Sequence, residues 1–499
     1  MVTNPYETDQ DDTSPPPVTL DSVPPDRGPI RPKFSPVGTG LAAVVLLACL
    51  SLYGWLQVSV PPLERVSTPE RALPLLVGRT LDLEDALMRL PVWERGFYRL
   101  TMDGGPDELT QAITWYEELV AARPHPVSQL QLAILQAEAG RLDEVRHTTE
   151  AWTARQDPYP TFTRFLRAAY LEPKPDPVSE PLLQAELAET LPAGWFHDRL
   201  ALRLAMRSGD HPRQSAIRDA LTRRGDSLVK RMRGIAVLDW GAFLLGFVVW
   251  RRRWSRRSGA PASLRVGAAP LPPCWRGRDG VAVLVRGGAL GGALTLGFLL
   301  WADLPPPVLA TLSIPLANLP VLLLAHRYLL GGEAQGFRSG LGLWPLAGTW
   351  GRLGMAVTVA VAAGLVGEWG VGLAADQFGL SDHWTEWFDS ELVWGSRTIV
   401  VLTMLQYVVL APMFEELVFR GLLFGTLRRK FRWETAAVIS AAIFALAHGY
   451  GVLGFTGVLW SGVVWAWAYE KTGSLLPGLL AHALNNLMVC LSVLVLLRN

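Results

Sequence analysis

Two adjacent carboxylates and an arginine interrupt an otherwise apolar run, APMFEELVFRGLLFG, at residues 411–425. An ionisable side chain inside a membrane span is costly and marks a functional site by default. At about 100° per residue on a helix, Glu416 and Arg420 share one face and can form an ion pair, whereas Glu415 lies roughly 140° away from Arg420. We therefore predict that Glu416 is a structural partner of Arg420 and that Glu415 is free for proton transfer.

A charge cluster at a helix end is the alternative interpretation of this run. Basic residues follow at positions 428–432 and would lie near the lipid head groups. The run by itself leaves both interpretations open.

Three more polar side chains interrupt the last apolar segments: His448 in IFALAHGYG, and His482 and Asn486 in LLAHALNNLM. His482 and Asn486 share a helix face, and Phe444 lies one turn before His448. Taken singly, each has a structural explanation, such as a histidine at a helix end or a hydrogen bond between helices. Together with Glu415 they supply the groups needed to activate a water molecule and to stabilise an oxyanion.

The composition is typical of a polytopic membrane protein with one soluble portion: 499 residues, 50% hydrophobic, 18% charged and 20 Trp. Basic residues cluster beside apolar spans, so we expect no nucleic-acid partner. Cys49, Cys274 and Cys490 are far apart and predict no disulfide or zinc module. The absence of HExxH, GxSxG and Walker A sequences excludes a zincin helix, a serine elbow and an ATP-driven pump.

The chain order predicts an all-α fold, a membrane helix bundle that carries a soluble helical domain in the N-terminal half. The predicted parts are a disordered tail (1–36), a membrane anchor (37–60), a helical domain (61–233), a second span (234–250), a basic cytoplasmic linker (251–280) and a membrane domain (281–499). Within the last part we expect spans near 281–301, 308–330, 353–375, 398–425, 435–448, 451–470 and 475–497, about nine in all with the first two. The piece 435–448 is short for a full crossing.

The helical domain shows a faint repeat. Pro124 and Pro158 end helices 34 residues apart, and LQLAILQAEAGRLDEV, at residues 130–145, resembles a tetratricopeptide unit. An unrelated helical bundle is the alternative. In either case stacked helices form a binding platform more often than a catalytic site, so we expect a protein partner there.

The arginines after the second span predict the orientation in the membrane. Because positive charge favours the cytoplasmic side, the N-terminus is expected in the cytoplasm and the helical domain outside, in what we expect to be a bacterial plasma membrane. The segment 376–397, rich in Trp and acidic residues, is expected to lie on the outer membrane surface. The remaining single charges, Asp239, Arg286, Glu368 and Glu470 beside Lys471, are expected near interfaces and receive no role.

Three motifs in this order resemble those of the CPBP family, the CAAX prenyl endopeptidases and bacteriocin-processing proteins, also called Abi proteins. The motifs are Glu415-Glu416-x-x-x-Arg420-Gly421, Phe444-x-x-x-His448, and His482-x-x-x-Asn486 preceded by Thr472-Gly473-Ser474-Leu475. The resemblance covers residues 340–495 and implies an α-helical intramembrane endopeptidase with its site in a hydrated cavity.

By this resemblance, Glu415 and His448 would activate the water, and His482 and Asn486 would stabilise the oxyanion. Glu416 and Arg420 are the other motif members and keep the structural role argued above. If a metal binds, Glu415, His448 and His482 are the natural zinc ligands; otherwise no cofactor is implied.

The leading hypothesis is a protease of the lipid bilayer that cleaves a protein or peptide substrate and recruits a partner through its helical domain. One alternative is a non-catalytic scaffold or immunity protein in which the polar residues only join helices. A second is a transporter that uses the carboxylates as a proton relay, which the lack of an evident inverted repeat disfavours.

Overall fold

The computed structural model describes residues 34–101, 108–172, 180–255, 264–331 and 336–498. The described residues form helices and no strand, which confirms the predicted all-α class. The predicted disordered tail lies almost wholly outside the described residues.

The N-terminal half contains one long apolar helix followed by shorter ones. They are α1 (Pro36–Ser59), α2 (Pro69–Leu87), α3 (Val92–Thr101), α4 (Glu108–Ala122), α5 (Pro126–Glu138), α6 (Leu142–Trp152), α7 (Tyr159–Leu166), α8 (Glu180–Thr190) and α9 (Trp195–Ser208). We call α2 to α9 the helical domain.

The second half contains most of the membrane helices. They are α10 (His211–Ser255), α11 (Gly277–Trp301), α12 (Pro306–Tyr328), a short α13 (Phe337–Gly340), α14 (Trp350–Phe378), a short α15 (Ser390–Trp394), α16 (Arg397–Leu427), α17 (Trp433–Leu446), α18 (Val452–Thr472) and α19 (Leu476–Leu497). In the described part of the chain, eight helices are long and apolar enough to cross a membrane: α1, α10, α11, α12, α14, α16, α18 and α19. The predicted short piece is α17, with 14 residues.

The helical domain has its own apolar core, because each amphipathic helix buries one face against its neighbours. Helices α4 to α7 pack successively on one another, and α8 packs on α9, as a helix-pair repeat requires. Arg203 adds a forked ion pair with Glu138, with both N···O distances 2.8 Å. Burial raises the pKa of Glu138, but the hydrogen bonds and charge of Arg203 outweigh burial and hold that pKa below its usual value. The tetratricopeptide identity of the repeat remains a prediction.

One helix joins the helical domain to the membrane bundle. Helix α10 is continuous over 45 residues, so it is about 68 Å long at 1.5 Å per residue. Its first half packs on α2 and α9, and its second half packs on α14 and α19. The boundary predicted between residues 233 and 234 therefore falls inside a single continuous helix.

The segment that connects α14 to α16 packs against the helical domain. We call residues 380–396 the connecting segment. Its side chains Trp384, Phe388, Leu392 and Val393 are buried in the core of the helical domain, and Trp384 has 0% exposure. The apolar side chains of this segment therefore contact protein, and its place on the outer membrane surface remains a prediction.

The burial of Trp384 predicts a stability difference within the connecting segment. Trp384→Ala removes a fully buried ring, so we expect it to lower the stability of the helical domain by about 3–5 kcal/mol. Trp387→Ala is the control, because this ring is 36% exposed. Thermal unfolding of the full chain in detergent measures both. Equal effects of the two variants would contradict the burial and favour a segment at the lipid surface.

Candidate active site

Helix α16 carries the Glu pair at the start of the second of two wide segments. Its hydrogen bonding changes to the π pattern over Gln406–Leu410 and again over Glu416–Phe424, with a short α-helical stretch, Ala411–Glu415, between them. Wide turns of this kind occur often at functional sites because they redirect side chains and release backbone groups. Glu415 and Glu416 stand at the second transition.

The predicted ion pair is present and fully buried. Arg420 Nη1 lies 3.0 Å from Glu416 Oε1, and both side chains have 0% exposure. The guanidinium also lies over the rings of Phe444 and Trp465, at 4.1 and 5.0 Å from their centroids. Its nitrogens lack hydrogen bonds of good geometry among the described residues, so the carboxylate and the two aromatic faces supply its electrostatic partners.

His482 extends this pair across to α19. Its Nδ1 lies 3.1 Å from Glu416 Oε1, and its ring stacks on Trp465 with centroids 3.9 Å apart. A carboxylate only accepts hydrogen bonds, so the network assigns the Nδ1 proton to this contact. Glu416 therefore sets the tautomer and orientation of His482, a role that the spacing of the sequence did not reveal.

Glu415 faces the other ring nitrogen. His482 Nε2 lies 3.7 Å from Glu415 Oε2, and the Glu415 side chain is 24% exposed. The two adjacent glutamates thus differ in burial: Glu416 is fully buried, whereas Glu415 is partly exposed.

His448 lies at the end of α17, half-buried. Its Nδ1 lies 2.8 Å from the Phe444 carbonyl oxygen, which leaves Nε2 for other partners. The Phe444 ring contacts both histidines, with centroids 4.6 Å from His448 and 5.9 Å from His482. The chain then turns at Gly449, whose φ of +67° favours glycine.

Asn486 lies one turn beyond His482 and is held against α16. Its Nδ2 donates to the Tyr407 carbonyl oxygen at 2.9 Å, and the Tyr407 hydroxyl donates to Asp389 at 2.8 Å. Neither Tyr407 nor Asp389 was singled out from the sequence. The proline at position 412, five residues after Tyr407, was the available signal, because proline removes a backbone donor from the helix.

The predicted zinc ligands do not form a metal site. Within the described ranges, no group of three or more His, Cys, Asp or Glu side chains is placed to hold a metal ion. Glu415 and His482 lie side by side, but His448 does not complete a three-ligand set with them. The described residues in this arrangement therefore do not fit a zinc ion.

Two charges that received no role lie in one cavity. Asp239 of α10 and Glu368 of α14 line a space of about 570 Å³, together with Asn485 of α19, which hydrogen-bonds to Glu368. These two charges, which are single in the sequence, are neighbours in the structure because residues far apart in the chain meet only after the helices pack.

Other single charges are paired, as expected. Glu470 accepts two hydrogen bonds from Arg428, at 2.8 and 2.9 Å. Arg286 donates to the Ser35 carbonyl oxygen and to Thr39 at the start of α1, at 2.8 and 3.1 Å. These contacts join membrane helices to one another and to the chain entering α1.

Comparison with known families identifies the part of the chain that carries this site. Residues 397–488 match the family model described as Type II CAAX prenyl endopeptidase Rce1-like, and all three motifs lie inside the matched region. No curated protein and no solved structure gave a match. The family match confirms the resemblance seen in the motifs and supports a CAAX-type intramembrane protease at the level of the family. With the eight apolar helices, it indicates an integral membrane protein.

The buried pair predicts a specific pattern of stability. Arg420→Ala leaves the Glu416 carboxylate buried without its countercharge, so we expect a loss of about 3–5 kcal/mol. Adding Glu416→Leu to that variant removes the orphaned charge and should recover most of the loss. Thermal unfolding of the purified full chain measures both variants. A double variant less stable than Arg420→Ala would show that the charge itself is not the cause.

Proposed function

We propose that this chain is an intramembrane endopeptidase that hydrolyses peptide bonds of a protein substrate with a water molecule activated by Glu415 and His448. The observation that carries the proposal is the difference between the two adjacent glutamates. Glu416 is fully buried against Arg420 and orients His482, whereas Glu415 is 24% exposed beside that histidine. A general base needs this combination of a fixed neighbour and access to water.

The residues divide the reaction as follows. Glu415 takes a proton from the water, whose oxygen attacks the carbonyl carbon, and then delivers that proton to the leaving amine. His448 keeps Nε2 for the attacking water because its Nδ1 is engaged with the Phe444 carbonyl. Asn486 retains one N–H after bonding to Tyr407, and this is the donor that we assign to the oxyanion. His482, whose Nδ1–H is held by Glu416, is the second residue assigned to the oxyanion.

The helical domain is the proposed recruitment platform. Its tetratricopeptide-like stacking offers a surface for a protein partner, and its core includes the connecting segment that leads directly into α16. We place this domain outside a bacterial plasma membrane and the N-terminus in the cytoplasm, on the basis of the arginines at the end of α10.

A non-catalytic scaffold of the same fold is the second candidate. The contacts of Glu416 with Arg420 and His482 join α16 to α19 whether or not a water molecule is activated. In that case alanine variants would change stability alone, and any cellular effect would follow the amount of protein.

Glutamine variants separate the two candidates. In proteoliposomes that contain a quenched fluorescent library of transmembrane peptides, we expect Glu415→Gln to lower kcat by about 10²–10⁴-fold with unchanged thermal stability. We expect Glu416→Gln to lower stability as well, because the Arg420 countercharge is lost. Glu434→Gln, on an exposed side chain of α17, is the matched control. Turnover retained in Glu415→Gln and His448→Ala would exclude the protease, and equal catalytic losses with an intact fold would refute the division between the glutamates.

Metal removal gives a further check. Because the described residues supply no three-ligand group, we expect turnover to survive 1,10-phenanthroline and the purified protein to contain no stoichiometric zinc by mass spectrometry. Zinc at one ion per chain that disappears in Glu415→Gln would show that the ligands rearrange around an ion.

A further inference from the structure

A backbone carbonyl in α16 is left without a helical donor. The Ala411 N–H donates to the Gln406 carbonyl, five residues back, instead of to Tyr407. In this wider register the next donor for Tyr407 would come from residue 412, which is proline and has no N–H. An unpaired carbonyl inside a membrane span is costly, so a donor from another part of the protein is expected to bond to it. Asn486 is this donor, with its Nδ2 2.9 Å from the Tyr407 carbonyl oxygen.

The side chain of Tyr407 points the other way, to the connecting segment. Its hydroxyl donates to Asp389 Oδ2 at 2.8 Å, and Asp389 Oδ1 accepts from the Leu392 N–H at 2.8 Å and caps α15. Phe388 and Leu392 are buried in the core of the helical domain. Tyr407 therefore contacts Asn486 through its backbone and the helical domain through its ring.

The same segment also holds the turn after His448. Glu386 Oε2 accepts from the Gly451 N–H at 3.0 Å, three residues after the histidine. From the opposite side, the Tyr53 hydroxyl of α1 donates to the Ala447 carbonyl oxygen at 2.9 Å. Asn486 and His448 are two of the four proposed catalytic residues. Each therefore lies next to a backbone group whose residue is held by a contact from another element of the structure.

The connecting segment is itself fixed by the helical domain. His383 Nε2 lies 2.9 Å from Glu118 of α4, next to the buried Trp384. On α19, Cys490 and Val493 follow Asn486 by four and seven residues on the same face, and both belong to the helical-domain core. The face of α19 that carries Asn486 therefore continues into that domain.

We propose that Tyr407 and Glu386 are positioning residues. Through them the helical domain holds Asn486, and the turn that follows His448, in the positions that the proposed reaction requires. The consequence for turnover rests on the proposed function, whereas the positioning contacts do not. A protein partner that binds the helical domain acts on the site through this route, because the connecting segment belongs to both.

A double-mutant cycle tests the first contact. Tyr407→Phe removes only the hydroxyl, and Asp389→Ser removes the acceptor but retains a cap for α15. Because a hydrogen bond to a charged group is lost, we expect each single variant to lower kcat about tenfold with KM within about twofold. The double variant should be no worse than either single one. Tyr328→Phe, on α12 away from the site, is the control and should keep wild-type turnover.

Losses that multiply in the double variant, or a rise in KM with unchanged kcat, would overturn the positioning role of Tyr407. So would full activity in Tyr407→Phe. A general loss of folding is recognised by thermal unfolding and by the behaviour of the control variant.

Hydrogen exchange tests the second contact without any need for activity. Glu386→Ala removes the acceptor of the Gly451 N–H, so exchange at that amide in the full chain should become at least tenfold faster, while Glu386→Gln keeps an acceptor oxygen and should restore protection. If the wild type shows no proteolysis, the proposed function fails and this measurement alone decides the inference. Unchanged exchange in Glu386→Ala would then overturn it.

Discussion

The buried charge pair of Glu416 and Arg420 constrains every helix around the candidate site. Removing two charges from water costs several kcal/mol per ion, and their attraction offsets that cost only with good geometry and additional partners. Here the partners come from three other helices: His482 of α19, Phe444 of α17 and Trp465 of α18. A shift of any of these helices would remove one of the additional partners of this pair. The pair therefore sets the packing as well as the local electrostatics.

The same constraint explains how two neighbouring glutamates acquire different roles. The Glu416 carboxylate is paired with Arg420 and also contacts His482, so its position is fixed from two sides. The preceding residue, Glu415, points elsewhere and stays partly exposed beside the same histidine, whose orientation is already determined. A fully buried ion pair and a partly exposed carboxylate thus arise from adjacent positions in one motif.

The helical domain and the membrane bundle are physically one structure. Helix α10 passes from one into the other, the connecting segment buries Trp384 in the domain core, and the end of α19 contributes Cys490 and Val493 to that core. These contacts meet the site at Tyr407 and at the turn after His448. The helical domain is therefore in direct contact with the elements that carry the candidate site.

The sequence alone determined the helical class, the long apolar spans and the pairing of Glu416 with Arg420, because hydrophobic runs and the four-residue helical spacing are local properties. It also indicated the resemblance to a family, because each of the three motifs is a local pattern. Only the tertiary structure decided which residues meet across helices. It placed His482 against Glu416, brought Asp239 and Glu368 together at one cavity, and buried side chains of the connecting segment in the core of the helical domain. The physical reason is that the type of a side chain determines whether it prefers an apolar or a polar environment. Which residue it then contacts depends on the packing of segments that are far apart in the chain.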